Sequence, residues 1–151
     1  MHLITKSALE TILGFKIKDI KIFETAFTHK SAVHDYPEIE SNERLEFLGD
    51  SVLNFIVTRY LMDRFTDVQE GFLTRVRTKI VSGKCLSRLA KHFELSKYII
   101  MDTKASQQGW NTNDRILEDV FESLIGALYL DSGLIPVKLF LTSILDNVEL
   151  I

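Results

Sequence analysis

The 151-residue sequence contains one cysteine, Cys85, and this scarcity limits how the fold can be stabilised. A single cysteine excludes disulfides within the chain and fits a reducing compartment, so we expect a cytoplasmic location. Glycine and proline are also scarce, at 7 and 2 residues, too few for the many tight turns of an all-β protein. The first residues do not resemble a secretory signal, and no apolar run approaches the roughly 18 residues that span a bilayer.

The sequence also lacks an excess of positive charge. Its 18 basic and 21 acidic residues give a formal net charge of −3, which provides no global field for binding phosphate. Any contact with nucleic acid must therefore come from a local basic surface or through a metal ion. Hydrophobic residues make up 46% of the chain, and its length and composition fit one globular domain.

Apolar residues recur at helical spacing through most of the chain, and the only β-like run is Tyr98–Ile100. The pattern predicts helices over 7–13, 20–27, 42–65, 71–80, 85–93, 115–130 and 137–148. Ser41 or Asn42 is expected to cap the third of these helices. Polar loops are predicted over 34–41 and 103–113, and Gly133 and Pro136 are expected to end the helix over 115–130. The fold class is predicted to be all-α.

The longest predicted helix carries acidic residues within an otherwise apolar segment. Glu46 and Asp50 are four residues apart, so they share one helix face, and Glu43 lies on the same side. Like charges at this spacing destabilise a helix, and burial increases the cost. Gly49 costs about 1 kcal/mol relative to alanine inside a helix, so we expect a structural gain from its missing side chain. A solvated acidic face is the alternative interpretation.

The helix predicted over 115–130 repeats this pattern, with Asp119 and Glu122 among apolar residues and Glu118 expected to face solvent. If both helices lie in the core, Glu46, Asp50, Asp119 and Glu122 could converge. Four such charges cannot share a site without protonation or cations. Carboxylate oxygens suit Mg²⁺ or Mn²⁺, so the pattern favours a divalent-metal site if the helices meet.

Four segments of the sequence resemble the motifs of the ribonuclease III family, the double-stranded-RNA endonucleases. Residues 42–53, NERLEFLGDSVL, resemble the family signature, and residues 117–133, LEDVFESLIGALYLDSG, resemble the second catalytic motif. FTHKS at 27–31 and QEGFLTRVR at 69–77 resemble the segments on either side of the signature. The segments follow the family order and span nearly the whole chain, so the sequence is identified as a member of this family.

The resemblance implies roles for individual residues. Glu46, Asp50, Asp119 and Glu122 match the catalytic, metal-binding carboxylates of the family. Asn42 matches a position that supports the site by hydrogen bonding. Glu43 and Glu70 match further acids near the cleavage centre and the dimer interface, although an ordinary first-turn helix acid is the alternative for Glu70.

The resemblance further implies a homodimer with the all-helical ribonuclease III endonuclease fold, whose two sites face one RNA duplex. The implied reaction is Mg²⁺-dependent hydrolysis of double-stranded RNA, with Mn²⁺ as a substitute, and it leaves 5′-phosphate and 3′-hydroxyl ends with short 3′ overhangs. Phe47 is the candidate dimer contact, with packing inside its own subunit as the alternative. Residues 1–151 are expected to form one nuclease domain, without the double-stranded-RNA-binding domain that follows it in typical bacterial members.

Substrate contacts are less well defined by the sequence. A minority of the basic residues that follow the signature are expected to touch RNA: Arg75, Arg77, Lys79, Lys84, Arg88 and Lys91. The loop over 103–113 departs from the family, since Lys104 is its only basic residue and it contains Trp110. Trp110 is expected to pin this loop to the core, with stacking on a base or sugar as the alternative.

Two rival functions fit parts of the sequence. A non-catalytic family member would only bind RNA, but such proteins typically lose metal ligands, and all four are present here. A metal phosphohydrolase of the HD type is suggested by His34-Asp35 and His29, but the His-Asp pair lies in a predicted loop. We expect His29 to be a structural residue of its motif and Cys85 a small core residue.

Overall fold

The computed structural model describes residues 3–147, which form nine α-helices within that range. The helices are α1 (Lys6–Leu13), α2 (Ile20–Ala26), α3 (Ala32–Asp35), α4 (Glu43–Arg64), α5 (Glu70–Ile80), α6 (Gly83–His92), α7 (Thr103–Gln107), α8 (Asp114–Ser132) and α9 (Leu134–Leu145). Two short 3₁₀ helices cover Leu95–Tyr98 and Trp110–Thr112. The β pairing found between residues 3 and 147 is one isolated bridge, Thr28 to Ile100. The predicted all-α class is confirmed.

Helix α8 forms the centre of the molecule, and α4 packs along it. All nine residues of α8 from Val120 to Leu128 are buried, including Glu122. Helices α2, α6 and α9 cover other sides of α8, while α5 packs against α4. None of the described helices combines the length and apolarity that a membrane crossing requires.

Two glycines allow the backbones of α4 and α8 to touch where the helices cross. A Cβ atom on Gly49 would overlap the carbonyl oxygen of Glu122, and one on Gly126 would overlap the carbonyl oxygen of Leu45. Glycine is costly inside a helix, so a structural gain is expected from the missing side chain of Gly49. The close approach of the two backbones is that gain. Gly126 makes the reciprocal contact from α8, and it places the acidic turns of the two helices against each other.

Substituting Gly126 by alanine should strongly destabilise the protein. The added methyl group meets backbone that cannot rotate away, so the helices must separate, at a cost on the order of 3 kcal/mol. Thermal unfolding measures this cost. Gly71→Ala in α5 is the matched control, because its Cβ would meet only the Arg75 side chain at an ordinary 3.6 Å. Equal melting temperatures for the two variants would contradict the close crossing.

Two regions predicted as loops contain short helices. His34 and Asp35 lie in α3, so the prediction of a loop over 34–41 is wrong at its start. The segment 103–113 contains α7 and a 3₁₀ helix, so the prediction of a continuous loop is also wrong. The Asp102 side chain caps α7 by accepting a hydrogen bond from the Ala105 N–H at 2.7 Å. Such caps lie outside the apolar periodicity from which helices were predicted.

The boundaries near the C-terminal end of the chain also differ from the prediction. Pro136 does not end a helix but lies in the first turn of α9, where a missing N–H leaves no helical hydrogen bond unmade. Helix α9 therefore starts three residues before the predicted position. Its predicted end at Val148 lies outside the described residues.

Candidate active site

The crossing of α4 and α8 brings the predicted acidic residues together. Glu46, Asp119 and Glu122 each place one carboxylate oxygen within 4.8 Å of the others. Asp50, one turn after Glu46, is exposed and lies close enough to Glu122 to raise the pKa of that carboxyl group. We call Glu46, Asp50, Asp119 and Glu122 the carboxylate cluster. The two pairs that are separate in the sequence therefore meet in the fold.

Burial and mutual repulsion change the acidity of this cluster. Glu122 is only 7% exposed, and its burial, followed by its hydrogen bond and repulsion with Asp50, raises its pKa to about 9. Burial, together with the adjacent Asp119, raises the pKa of Glu46 to about 7. Without a cation, the cluster therefore retains protons near neutral pH. A hard divalent cation could replace those protons, and the all-oxygen donor set fits such an ion.

Glu118 stands beside the cluster and differs from its prediction. It is half-buried rather than solvent-facing, and its Oε2 atom lies 2.5 Å from the point where a Cβ on Gly83 would sit. Gly83, the first residue of α6, has no side chain and therefore leaves room for the carboxyl group of Glu118. Burial raises the pKa of Glu118, and repulsion from Asp119 and Asp50 adds to the effect.

Buried hydrogen bonds tie the end of α2 to both cluster helices. Asn42 is buried and donates its Nδ2–H to the Ala26 carbonyl at 3.2 Å, while its backbone N–H donates to Thr28 at 2.8 Å. Ser123, directly after Glu122, donates its hydroxyl to the same Ala26 carbonyl at 2.6 Å. The Asn42 side chain does not cap α4, because it is used here. Ser123 was not predicted, although a lone hydroxyl in a run of core residues is a usable signal.

The remaining predicted acids lie outside the cluster. Glu43 is exposed one turn before Glu46 and accepts a hydrogen bond from the Ser41 hydroxyl at 3.1 Å. Glu70 begins α5 and accepts a hydrogen bond from the Thr74 hydroxyl at 2.7 Å. Glu70 lies near Met62, which is about 18 Å along α4 from Asp50. Within one chain, Glu70 is therefore not brought to the cluster.

The histidines that the structure describes do not form a second candidate metal centre of the HD type. His34 Nδ1 lies 3.4 Å from Asp102 Oδ2, and the side chain of His34 is 78% exposed. Across residues 3–147, the group of potential ligands that converges closely enough for a metal contains carboxylates and no histidine. The HD-type alternative therefore lacks its ligand set in this part of the chain.

The basic residues proposed for RNA contact fall into two groups. Arg77 donates to the Thr58 hydroxyl at 3.0 Å, and Lys91 pairs with Asp114 at 2.7 Å, so both have structural partners. The others are exposed along α5 and α6: Arg75, Lys79, Lys84 and Arg88. These four are the better candidates for contacts with phosphate.

Comparison with known proteins finds a matching family model and relatives that are nearly half identical to this chain. A family model described as Ribonuclease-III-like matches residues 19–148. A protein of Paramecium bursaria Chlorella virus 1 is 49% identical over 136 residues, which cover 90% of this chain and 48% of that protein. Ribonuclease 3 of Francisella tularensis subsp. holarctica is 46% identical over 132 residues, which cover 87% of this chain and 54% of the relative. The chain thus spans about half the length of these relatives.

Solved structures match the fold over nearly the whole chain. The nuclease domain of ribonuclease III from Campylobacter jejuni aligns with a TM-score of 0.86 at 32% identity, covering 94% of this chain and 96% of that domain. Dicer from Pichia stipitis aligns with a TM-score of 0.64 at 30% identity, covering 85% of this chain and 55% of Dicer. The chain belongs to the ribonuclease III-like family and corresponds to its nuclease domain.

Proposed function

We propose that residues 1–151 act as a divalent-metal-dependent endoribonuclease domain that hydrolyses double-stranded RNA. The expected products carry 5′-phosphate and 3′-hydroxyl ends with short 3′ overhangs. The observation that carries this proposal is the carboxylate cluster, in which Glu46, Asp119 and Glu122 converge at one helix crossing and Asp50 acts on Glu122. The same observation argues against a family member that only binds RNA. The lone cysteine supports the cytoplasmic location that we propose with it.

The proposed cofactor is Mg²⁺, with Mn²⁺ as a substitute, held by Glu46, Asp50, Asp119 and Glu122. When bound, the ion supplies Lewis-acid activation of water and of the phosphodiester group. Glu122 and Glu46 must release protons to bind it, because burial and repulsion keep Glu122 protonated and Glu46 partly protonated near neutral pH in its absence.

The surroundings of the cluster hold these carboxylates in place before any substrate arrives. The glycine crossing fixes the distance between α4 and α8. The hydrogen bonds of Asn42 and Ser123 to the Ala26 carbonyl fix the two helices relative to α2. A site held in this way needs little reorganisation when the scissile phosphate binds. A-form RNA would be recognised through phosphates and 2′-hydroxyls, with Arg75, Lys79, Lys84 and Arg88 as candidate contacts.

A cleavage assay with defined RNA tests the proposed activity. A long, perfect RNA duplex should be cut with Mg²⁺ or Mn²⁺, and cutting should stop in excess chelator. Ca²⁺ should support cleavage poorly, because its larger radius and looser coordination align phosphate less well. Sequencing the product ends checks the predicted 5′-phosphate and 3′-hydroxyl groups. Full activity in chelator, or equal cutting of single-stranded RNA, would contradict the proposal.

We also propose that the domain acts as a homodimer in which Phe47 is buried between subunits. Phe47 is 81% exposed beside Glu46, which disfavours the alternative that it packs inside its own subunit. Phe55 and Met62 extend this apolar surface along α4. The Campylobacter jejuni nuclease domain is described as having a region involved in dimer formation. In such a dimer, Glu70 could serve the site of the other copy.

Replacing Phe47 by alanine should shift the protein from dimer to monomer and reduce coordinated cutting of both strands. A large aromatic side chain at the centre of an interface typically contributes 2 kcal/mol or more, which corresponds to about a 30-fold weaker association. Light scattering across a concentration series measures the shift. Leu139→Ala is the control, since Leu139 is also exposed but lies on α9. A monomer that still cuts both strands in register would contradict the proposed dimer.

A further inference from the structure

A cavity lies next to the start of α4, one helical turn before the carboxylate cluster. It has a volume of about 370 Å³, and its lining includes His29, Lys30, Ser31, Glu43 and Trp110. Glu43, which lies one helical turn before Glu46, is part of this lining, so the cavity adjoins the turn of α4 that leads into the cluster. Its volume falls in the lower part of the ~300–1,000 Å³ range of small-molecule sites. We call it the Trp110 cavity.

Trp110 is held in place by its loop while much of its indole stays exposed. It follows Gly109, which adopts a left-handed conformation with φ of 73°. After it, the Asn113 side chain caps α8 by accepting the N–H of Arg115 at 2.9 Å. The indole meets the His29 ring edge-to-face at 6.4 Å between centroids, yet Trp110 remains 43% exposed. The loop is therefore held by the Gly109 turn and the Asn113 cap, and it does not depend on full burial of the indole.

The hydrogen bonds of His29 define which ring nitrogen is available as a donor. The Ser31 N–H donates to His29 Nδ1 at 3.1 Å. The Ser31 hydroxyl accepts the Asp102 N–H at 3.0 Å and lies 2.8 Å from the same Nδ1, so it can give its own proton to the ring. Nδ1 is therefore an acceptor, and the neutral ring carries its proton on Nε2. Among residues 3–147, Nε2–H has no protein acceptor within hydrogen-bonding distance.

We propose that the Trp110 cavity binds one unpaired nucleotide of the RNA substrate next to the cleavage centre. Bases inside a duplex stack on one another, whereas a bulged base can stack on an aromatic side chain. Trp110 provides the stacking surface, His29 Nε2–H a donor, and exposed Lys30 a charge for the phosphate. This inference rests on the proposed cleavage of RNA and adds a preference for duplexes that carry an unpaired base near the cut.

Trp110 is the only tryptophan in the chain, so its fluorescence reports directly on the cavity. The probes are two RNA duplexes of equal length, one perfect and one with a single bulged nucleotide, titrated in chelator so that no cleavage occurs. We expect the bulged duplex to quench the fluorescence at a concentration roughly tenfold lower, because its unpaired base can stack on the indole. Equal quenching by both duplexes would overturn the inference.

Charge variants and Trp110 variants complete the test. Lys30→Gln should weaken quenching by the bulged duplex several-fold. Lys16→Gln should leave the quenching unchanged. Lys16 lies next to the segment whose backbone N–H groups donate to Asp131, at the far end of α8. With Mg²⁺, Trp110→Ala should lose the preference for bulged over perfect duplex, and Trp110→Phe should keep most of it. If Trp110→Ala fails to fold, Lys30→Gln and Trp110→Phe still decide the question.

The outcomes separate this inference from the proposed function. Cleavage in Mg²⁺ without a preference for the bulged duplex would overturn the nucleotide site and leave the nuclease intact. Selective quenching by the bulged duplex without cleavage in Mg²⁺ would support the nucleotide site and contradict the nuclease activity.

Discussion

Replacing Glu122 by glutamine should abolish RNA cleavage while leaving the metal-free protein at least as stable as the wild type. Glutamine keeps the size of the side chain and is always neutral, so it fits the buried position at least as well as the protonated Glu122 of the metal-free protein. It also removes a proposed metal ligand, so we expect activity to fall by at least on the order of 10²-fold. Asp50→Asn should behave in the same way. Cleavage rates and thermal unfolding in chelator measure the two effects.

Asp131, at the other end of α8, provides a control with the opposite result. Its carboxylate accepts the backbone N–H of Lys18 at 3.0 Å and of Asp19 at 2.8 Å. Asp131→Asn should therefore lower the melting temperature and retain cleavage, since this carboxylate has a structural partner and lies far from the cluster. A clear loss of metal-free stability in Glu122→Gln would mean that Glu122 belongs to a structural network rather than to a functional cluster.

The stability of the metal-free protein should fall as the pH rises through the range in which the cluster titrates. The pKa values of Glu46 and Glu122 are about 7 and about 9 in the folded state, above the ordinary value of 4.5. The folded state therefore binds protons more tightly than the unfolded state. This stabilisation is complete below pH ~4.5 and is lost as the pH rises through the folded-state values.

Thermal unfolding near pH 5 and near pH 9 tests this dependence in wild type and in Glu122→Gln. The wild type should lose more stability than the variant across this range, because glutamine does not titrate. Adding Mg²⁺ at the higher pH should raise the melting temperature of the wild type by several degrees, since the ion binds only the folded state. The same pH dependence in both proteins would contradict the raised pKa of Glu122.

The sequence was sufficient to predict the central helices and the acids on them. Glu46 and Asp50 stood out because like charges share a face with apolar residues, and Gly49 stood out because glycine is costly inside a helix. Whether the two acidic pairs meet could not be decided from spacing, because convergence depends on a crossing formed by residues distant in sequence. Gly126 carries the same signal on α8, and pairing the two glycines would have predicted the contact.

The periphery of the site was less predictable for a physical reason. Helices as short as α3 and α7 are not stable by intrinsic propensity, so their presence depends on tertiary contacts. Asp102 illustrates this dependence: its side chain caps α7, and its N–H donates to Ser31, which also holds His29. The Trp110 cavity is lined by residues around α3 and by Trp110 of the 3₁₀ helix after α7. Neither apolar periodicity nor motif spacing indicates that these segments meet.

Calorimetric titration of Mg²⁺ into the metal-free protein, in two buffers of different ionisation enthalpy, tests the proposed metal centre most directly. The wild type should bind Mg²⁺ with net release of protons near neutral pH, because Glu122 and Glu46 must lose theirs. Glu122→Gln should bind the ion much more weakly and release fewer protons. Equal binding by the two proteins, or binding without proton release, would contradict the assignment of the carboxylate cluster as the metal centre.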